Sequence, residues 1–402
     1  MARRPIAVIM ALSAMLPSLR PCAAEVFRPK ANRPSLDDIE QAVSRGVAWL
    51  KTAPSPDSHR DLSSDELILY GLVVGKLPTN DPALAGYLRK VVDKPPARTY
   101  AASIAALALA EIDEAGYRWK LEEIALFLVN TQCRNGLWGY GEALPSALRA
   151  AAGPPPTEPS RPAAERPFGP PPPYGIRHFA GRPDARRVAI RQLRREQGEG
   201  DNSNSQYAAL GLLACWKAGI DPDPACLRDA LAGWERSACA DGSWTYTWDR
   251  TGTTGDRSGW CSMTAGGVAS LVIHRTLLGL PWRQERRVES GLGWLARNWD
   301  ITSNAGANKP GTAAHHYYAL HSLERAGTIC GIRHIGLHDW YEEGAAYLLE
   351  RQRGDGSWKG AHGNEVHDTC FAILFLQRSI RTLGWMIVDY LGKFPSRGEY
   401  RW

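Results

Sequence analysis

A helix end is written three times in this chain. Leu348 leads through Gln352 into Asp355-Gly356-Ser357-Trp358, Leu128 through Gln132 into Asn135-Gly136-Leu137-Trp138, and Trp234 into Asp241-Gly242-Ser243-Trp244. In every copy the closing Trp stands ten positions after that apolar helical residue. Looser copies surround Trp49 and Trp294, where the Gly-x-Trp ending is absent. A recurring helix end means a repeat architecture, one supersecondary unit stacked several times.

Between these ends, apolar residues recur at spacings of three and four, and no stretch alternates with period two for long enough to make a convincing strand. The helices come in pairs: 37–51 with 65–74, 82–92 with 99–111, 120–132 with 203–218, 225–238 with 262–279, 286–299 with 314–327, and 339–352 with 368–378. The first of each pair is amphipathic. The second is apolar nearly all round and rich in small residues, such as Ala105, Ala106, Gly266 and Gly267. A helix apolar on every side is buried on every side, whereas an amphipathic one keeps a wet face. Six alternations predict an all-α fold, an α/α toroid with six inner helices wrapped by six outer ones; an open solenoid is the alternative. Every outer-to-inner connection (52–64, 93–98, 133–202, 239–261, 300–313, 353–367) then lies at one end of the ring. Long loops over six inner-helix N-termini, each partially positive, mark that end as the functional mouth.

The toroid is expected over residues 25–380. Ahead of it, residues 1–24 carry a basic start, an apolar run from Ile6 to Leu19 and small residues before Glu25, which predicts a signal peptide and an exported protein, periplasmic or extracellular. Membrane contact is then transient or confined to that segment. Removing residues 1–24 removes three Arg and no acid, so the net charge of +6 becomes +3, too mild and too dispersed for nucleic acid. The seven remaining cysteines have no C-x-x-C pair, which argues against a disulfide framework or a zinc ribbon. Residues 139–200 interrupt the third pair: eleven of the thirty residues 154–183 are Pro, which excludes a packed core there, and 184–196 reads as a short basic helix. Residues 381–402 form a C-terminal tail. A monomer is expected.

Taken together, the Gln-x-x-(Asp/Asn)-Gly-x-Trp ending, the Ala-rich inner helices and the six pairs resemble the prenyltransferase and squalene-oxidase repeat superfamily, which includes terpenoid cyclases and protein prenyltransferase β-subunits. The segments 201–208, 262–271, 318–327 and 338–345 resemble an exported bacterial squalene-cyclase-like branch; the match covers roughly residues 37–380 and implies the fold. In such enzymes chemistry sits at the inner-helix N-termini. Glu365-Val366-His367-Asp368-Thr369 resembles the D-x-D-D-T motif with which class II terpenoid cyclases protonate an alkene, so the resemblance implies Glu365, His367 and Asp368 as a catalytic cluster. His367 stands where the proton-donating Asp would, and an imidazolium is too weak an acid for an isolated alkene. Asp368-Thr369-Cys370-Phe371 also resembles the D-x-C-(Tyr/Phe) of prenyltransferase β-subunits, whose Asp and Cys bind zinc with a His. His315 aligns level with Asp368 on the neighbouring inner helix, so His315, Asp368 and Cys370 form a candidate Zn²⁺ set; the alternative is that these His are helix-start residues and Cys370 is core. Asp201, Asn202 and Ser203 read as N-caps. Tyr246, Trp248, Trp260, Tyr317 and Tyr318 are the aromatics placed to line the mouth, suited to a hydrophobic or sugar ligand. The expected function is a ligand- or protein-binding toroid without the intact cyclase acid motif and without a cofactor. The alternatives are an isoprenoid cyclase or transferase using the Glu365–Asp368 cluster, and a zinc-dependent enzyme.

Overall fold

Helices of two kinds alternate along the computed structural model, which describes residues 33–53, 64–151, 187–247, 259–306, 309–312, 314–361 and 363–378. The outer set is α1 (Leu36–Thr52), α3 (Pro82–Asp93), α5 (Arg118–Asn130), α8 (Pro224–Ser237), α10 (Arg286–Arg297) and α12 (Trp340–Arg351). The inner set is α2 (Ser64–Val74), α4 (Thr99–Asp113), α7 (Asn202–Lys217), α9 (Cys261–Leu277), α11 (His316–Cys330) and α13 (Glu365–Leu376). A short α6 (Ser146–Ala151) stands in the insertion. The burial follows the pattern: α1 buries one face (Ile39, Val43, Val47, Leu50), whereas α7 buries every residue from Asn202 to Cys215. Starts are fixed locally by side chains that satisfy orphan amides. Ser35 and Asp38 form a capping box on α1, Asp81 and Asp223 cap helices that open with Pro, and Asn364 caps α13.

Inner helices pack in the order α2, α4, α7, α9, α11, α13 and back to α2. The ring is closed, as the sequence predicts, and the open solenoid is set aside.

The thrice-written ending is the joint between neighbouring outer helices. Each closing Trp sends its indole N–H to the carbonyl ten residues back: Trp138 to Leu128 (2.7 Å), Trp244 to Trp234 (3.1 Å), Trp358 to Leu348 (2.8 Å). Each Trp backbone N–H meets a hydroxyl of the paired inner helix, Ser205, Thr264 or Thr369. The turn glycines have φ of 80°, 92° and 93°, which an L side chain rarely adopts. They also abut the next outer helix: a Cβ on Gly136, Gly242 or Gly356 would meet the carbonyl oxygen of Asp229, Ser290 or Arg45. The third joint therefore fastens the last hairpin to the first, helped by Gln352, whose Nε2 reaches Ala42 O at 2.8 Å.

Two expectations need correction. Residues 187–196 are not a basic helix: β1 (Val188–Ile190) pairs in parallel with β2 (Ile220–Pro222) after α7. Tertiary partners override the local pattern. Arg187 Nε holds Asp221 at 2.9 Å, the Leu193 and Arg194 amides donate to Asn130 Oδ1, and Arg195 pairs with Asp229. Strand is also present in two short ribbons, β3 (Asn304–Gly306) with β4 (Lys309–Thr312) and β5 (His334–Ile335) with β6 (His338–Asp339). The signal segment 1–24, the Pro-rich 154–183 and the tail 381–402 lie outside the described residues. No described helix is long and apolar enough to cross a membrane.

Candidate functional site

At the mouth, the loops cap the helices. The loop after α5 gives Tyr140 O to Thr99 N of α4 (2.8 Å), and the loop after α8 gives Tyr246 O to Asn202 N of α7 (2.9 Å). Asn304 Oδ1, after α10, accepts Ser262 N of α9 at 3.0 Å. Protein oxygens therefore already occupy N–H groups that would otherwise attract an anion. Asp201 is a cap, as expected, accepting Asn204 N at 2.7 Å.

Below the mouth, side chains span the lumen. Tyr100 on α4 and Tyr318 on α11, which stand opposite one another in the ring, both bond the Ser203 hydroxyl of α7, Tyr318 at 2.9 Å. Gln206 Nε2 donates to Tyr318 Oη at 2.6 Å, and its Oε1 accepts Arg325 Nη2 at 2.7 Å. The Arg325 guanidinium also donates to Ser322 Oγ and lies over the Tyr207 ring, 4.7 Å from its centroid; a buried cation gains from such a face. Burial, helped by Arg325, holds His321 well below its ordinary value; its Nδ1 lies 3.5 Å from Glu324 Oε2. Burial likewise pushes the Tyr100 and Tyr318 phenols up. This network of Tyr100, Ser203, Gln206, Tyr207, Tyr318, Ser322 and Arg325 crosses the ring at that level. Sequence reading missed it as a unit; its signal was a charged Arg and Glu inside a helix otherwise buried all round.

The predicted catalytic residues do not face one point. Asp368 is buried, and its Oδ2 accepts Gly360 N at 2.8 Å; Gly360 lies against the Tyr317 ring, and a side chain at Gly363 would overlap the carboxyl. Burial raises Asp368 to about 6, opposed by the Gly360 amide. His367 turns to α2, with Nε2 3.0 Å from Ser64 Oγ, and burial lowers it to about 4. Glu365 turns outward to Arg353 and to Ser357 Oγ (3.1 Å). Thr369, the last residue of the motif, accepts the Trp358 amide at 2.9 Å.

The zinc set does not converge. His315 is exposed in a left-handed conformation (φ 58°) ahead of α11, and Cys370 is fully buried beside Gly71 and Leu50, where burial raises its thiol. No group of three or more His, Cys, Asp or Glu among the described residues is placed to hold a metal ion. These donors do not fit zinc. Of the mouth aromatics, Tyr246 is exposed and its hydroxyl meets that of Tyr140 at 3.0 Å. Trp260 is half-buried and bridges Gly306, Tyr317 and Tyr318 are buried, and Trp248 lies outside the described residues.

No protein-family model and no curated protein matches this chain. Among solved structures, Candida albicans protein geranylgeranyltransferase-I complexed with GGPP is similar at 13% identity and TM-score 0.51, over 88% of this chain and 93% of that one. A type II terpene cyclase, MstE from Scytonema with geranylgeranyl dihydroxybenzoate, is similar at 14% identity and TM-score 0.46, covering 87% and 98%. A Klebsiella pneumoniae chain described as a possible member of the GH105 family is similar at 12% identity and TM-score 0.53, covering 94% and 100%. Likeness at these identities is likeness of fold. The chain is an α/α toroid, a fold it shares with the Candida albicans and Klebsiella pneumoniae structures.

Proposed function

We propose that this chain is a monomeric, exported binding toroid rather than an alkene-protonating enzyme, and that it takes an uncharged apolar ligand of isoprenoid type at the loop face. The observation that carries the reading is the spanned lumen. Tyr100 and Tyr318, on opposite inner helices, share one serine hydroxyl, so a ligand seats above that level, against the Tyr140–Tyr246 pair. Capping of the α4, α7 and α9 N-termini by loop oxygens favours an uncharged ligand over a diphosphate. Divergence of Glu365, His367 and Asp368 supports a non-catalytic role. The geranylgeranyl compounds bound by two structures of this fold suggest the ligand class.

The test is Trp fluorescence titration of the purified chain with geranylgeraniol and with geranylgeranyl diphosphate, followed by product analysis. Saturable binding of the alcohol, about tenfold tighter than the diphosphate and weakened in Tyr246→Ala, is expected, with no product formed. Conversion of either compound, abolished in Asp368→Asn, would replace the binding reading with the enzyme reading. No binding of either sinks the isoprenoid ligand. Export is checked by fractionation and by the N-terminal residue of the mature protein.

A further inference from the structure

The three Gly-x-Trp joints act as controls for one another. In the first, Gln132 Nε2 donates to Gly136 O and to Cys226 O of the next outer helix, both at 2.9 Å. In the third, Gln352 Nε2 does the same with Gly356 O (2.9 Å) and Ala42 O (2.8 Å). In the middle joint the position is Ala238, which faces Trp244 across the turn as Gln132 faces Trp138. Alanine ends at Cβ, and a cavity of about 300 Å³ lies at that place, between α8 and α10. Its lining includes Glu235, Ala238, Cys239, Gly242, Arg287 and Arg297.

Equivalence of the joints says what this cavity offers. The carbonyl that receives the glutamine amide belongs to the residue three before the one abutting the turn glycine: Cys226 before Asp229, Ala42 before Arg45, and hence Arg287 before Ser290. Gly242 O and Arg287 O therefore stand where a primary amide sits in the sister joints. Around them are two guanidiniums, Arg287 and Arg297, and two carboxylates, Glu235 and Asp241. Arg287 Nε donates to Glu235 O (3.2 Å) while its Nη1 stands 3.8 Å from Glu285 Oε1, and Arg297 Nη2 donates to Asp241 O (3.3 Å), which fixes both heads at the rim and leaves Arg287 Nη2 and the rest of the Arg297 fork for a ligand. Asp241 is occupied, with Oδ1 on Ser243 and Oδ2 on Trp294 Nε1. Glu235 is half-buried at the edge.

We propose that this seam binds a small zwitterionic carboxamide, for which L-glutamine is the simplest probe. The ligand amide takes the place of the missing side chain between Gly242 O and Arg287 O. Its carboxylate pairs with Arg287 and Arg297, an arrangement guanidinium forks favour, and its ammonium pairs with Glu235. The volume suits an amino acid, standing at the lower end of the about 300–1,000 Å³ of ligand pockets. The site is on the outer wall and shares no residue with the loop-face site.

Isothermal titration of L-glutamine, with L-glutamate and L-leucine as comparators, tests it. Saturable binding of glutamine is expected, at least tenfold tighter than either comparator, and with protection of Cys239 from alkylation read at the peptide level. Ala238→Gln fills the seam from within: binding should vanish while the melting temperature rises. Arg287→Ala with Arg297→Ala, in the unfilled background, should weaken glutamine binding at least tenfold. Absence of saturable binding, glutamate binding as well as glutamine, or binding that survives in Ala238→Gln overturns the proposal.

Discussion

At Asp368 two effects oppose one another, and burial wins over the Gly360 amide, lifting the carboxyl to about 6. A raised folded value means that the native state holds the proton more tightly than the unfolded chain does. The contribution is whole below about pH 4 and is lost as pH rises through 6. The stability difference between wild type and Asp368→Asn should shift against wild type, on the order of 2 kcal/mol, between pH 4 and 7, read from urea midpoints. His274, His316 and His367 run the other way: burial lowers each to about 4, so their contribution is present above pH 6.5 and lost as pH falls through 4. His316→Gln, which keeps a polar contact toward Ile301 O, should flatten the acid limb. Metal content belongs to the same scale. His315 in solvent and Cys370 in the core leave Asp368 without co-ligands, so elemental analysis of the mature chain should find no stoichiometric zinc, and Asp368→Ala with Cys370→Ala should change nothing. Zinc at one per chain, lost in that variant, would reinstate the metal reading.

Among elements, the joint is the part most legible in sequence. The ten-residue interval before each Trp is the hydrogen bond from its indole to Leu128, Trp234 or Leu348, so a geometric constraint left a fixed spacing. The glycine is equally fixed, because it combines a positive φ with a neighbouring carbonyl. Gly356→Ala places a Cβ 2.6 Å from Arg45 O at a φ of 93° and should cost at least about 2 kcal/mol in a urea titration. Thr369→Val keeps the shape but orphans the Trp358 amide, for about 1–3 kcal/mol. A loss well below that would mean that another group takes over the Trp358 amide. What was illegible has an equally physical cause. The lumen network joins Tyr100 to Ser203 and Ser203 to Tyr318, 103 and 115 residues apart, and no local period records a contact of that range. The strand at 188–190 was hidden likewise, since its partner at 220–222 lies beyond a whole helix.

For the molecule as a whole, alternating helix types made the ring readable, whereas its contents were not. Two inner helices with the same apolar pattern can enclose a cavity or press tyrosines together across it. Closure is also a whole-molecule property, and removing residues 338–378 should reveal it. That deletion takes away Gln352 and Gly356, leaves α1 and α2 without α13, and should replace one cooperative melt by a broad one with aggregation. Gly356→Ala should stay cooperative at a lower midpoint. A cooperative, monomeric truncation would mean that five hairpins suffice. The bond from Gln352 to Ala42 spans 310 residues, which has a consequence in time. A ribosome adding roughly 5–20 residues per second needs on the order of 15–60 s to travel between them. For that interval the first hairpin waits with an apolar flank bare, so its survival in the cell depends on whatever escorts it until the sixth hairpin is made.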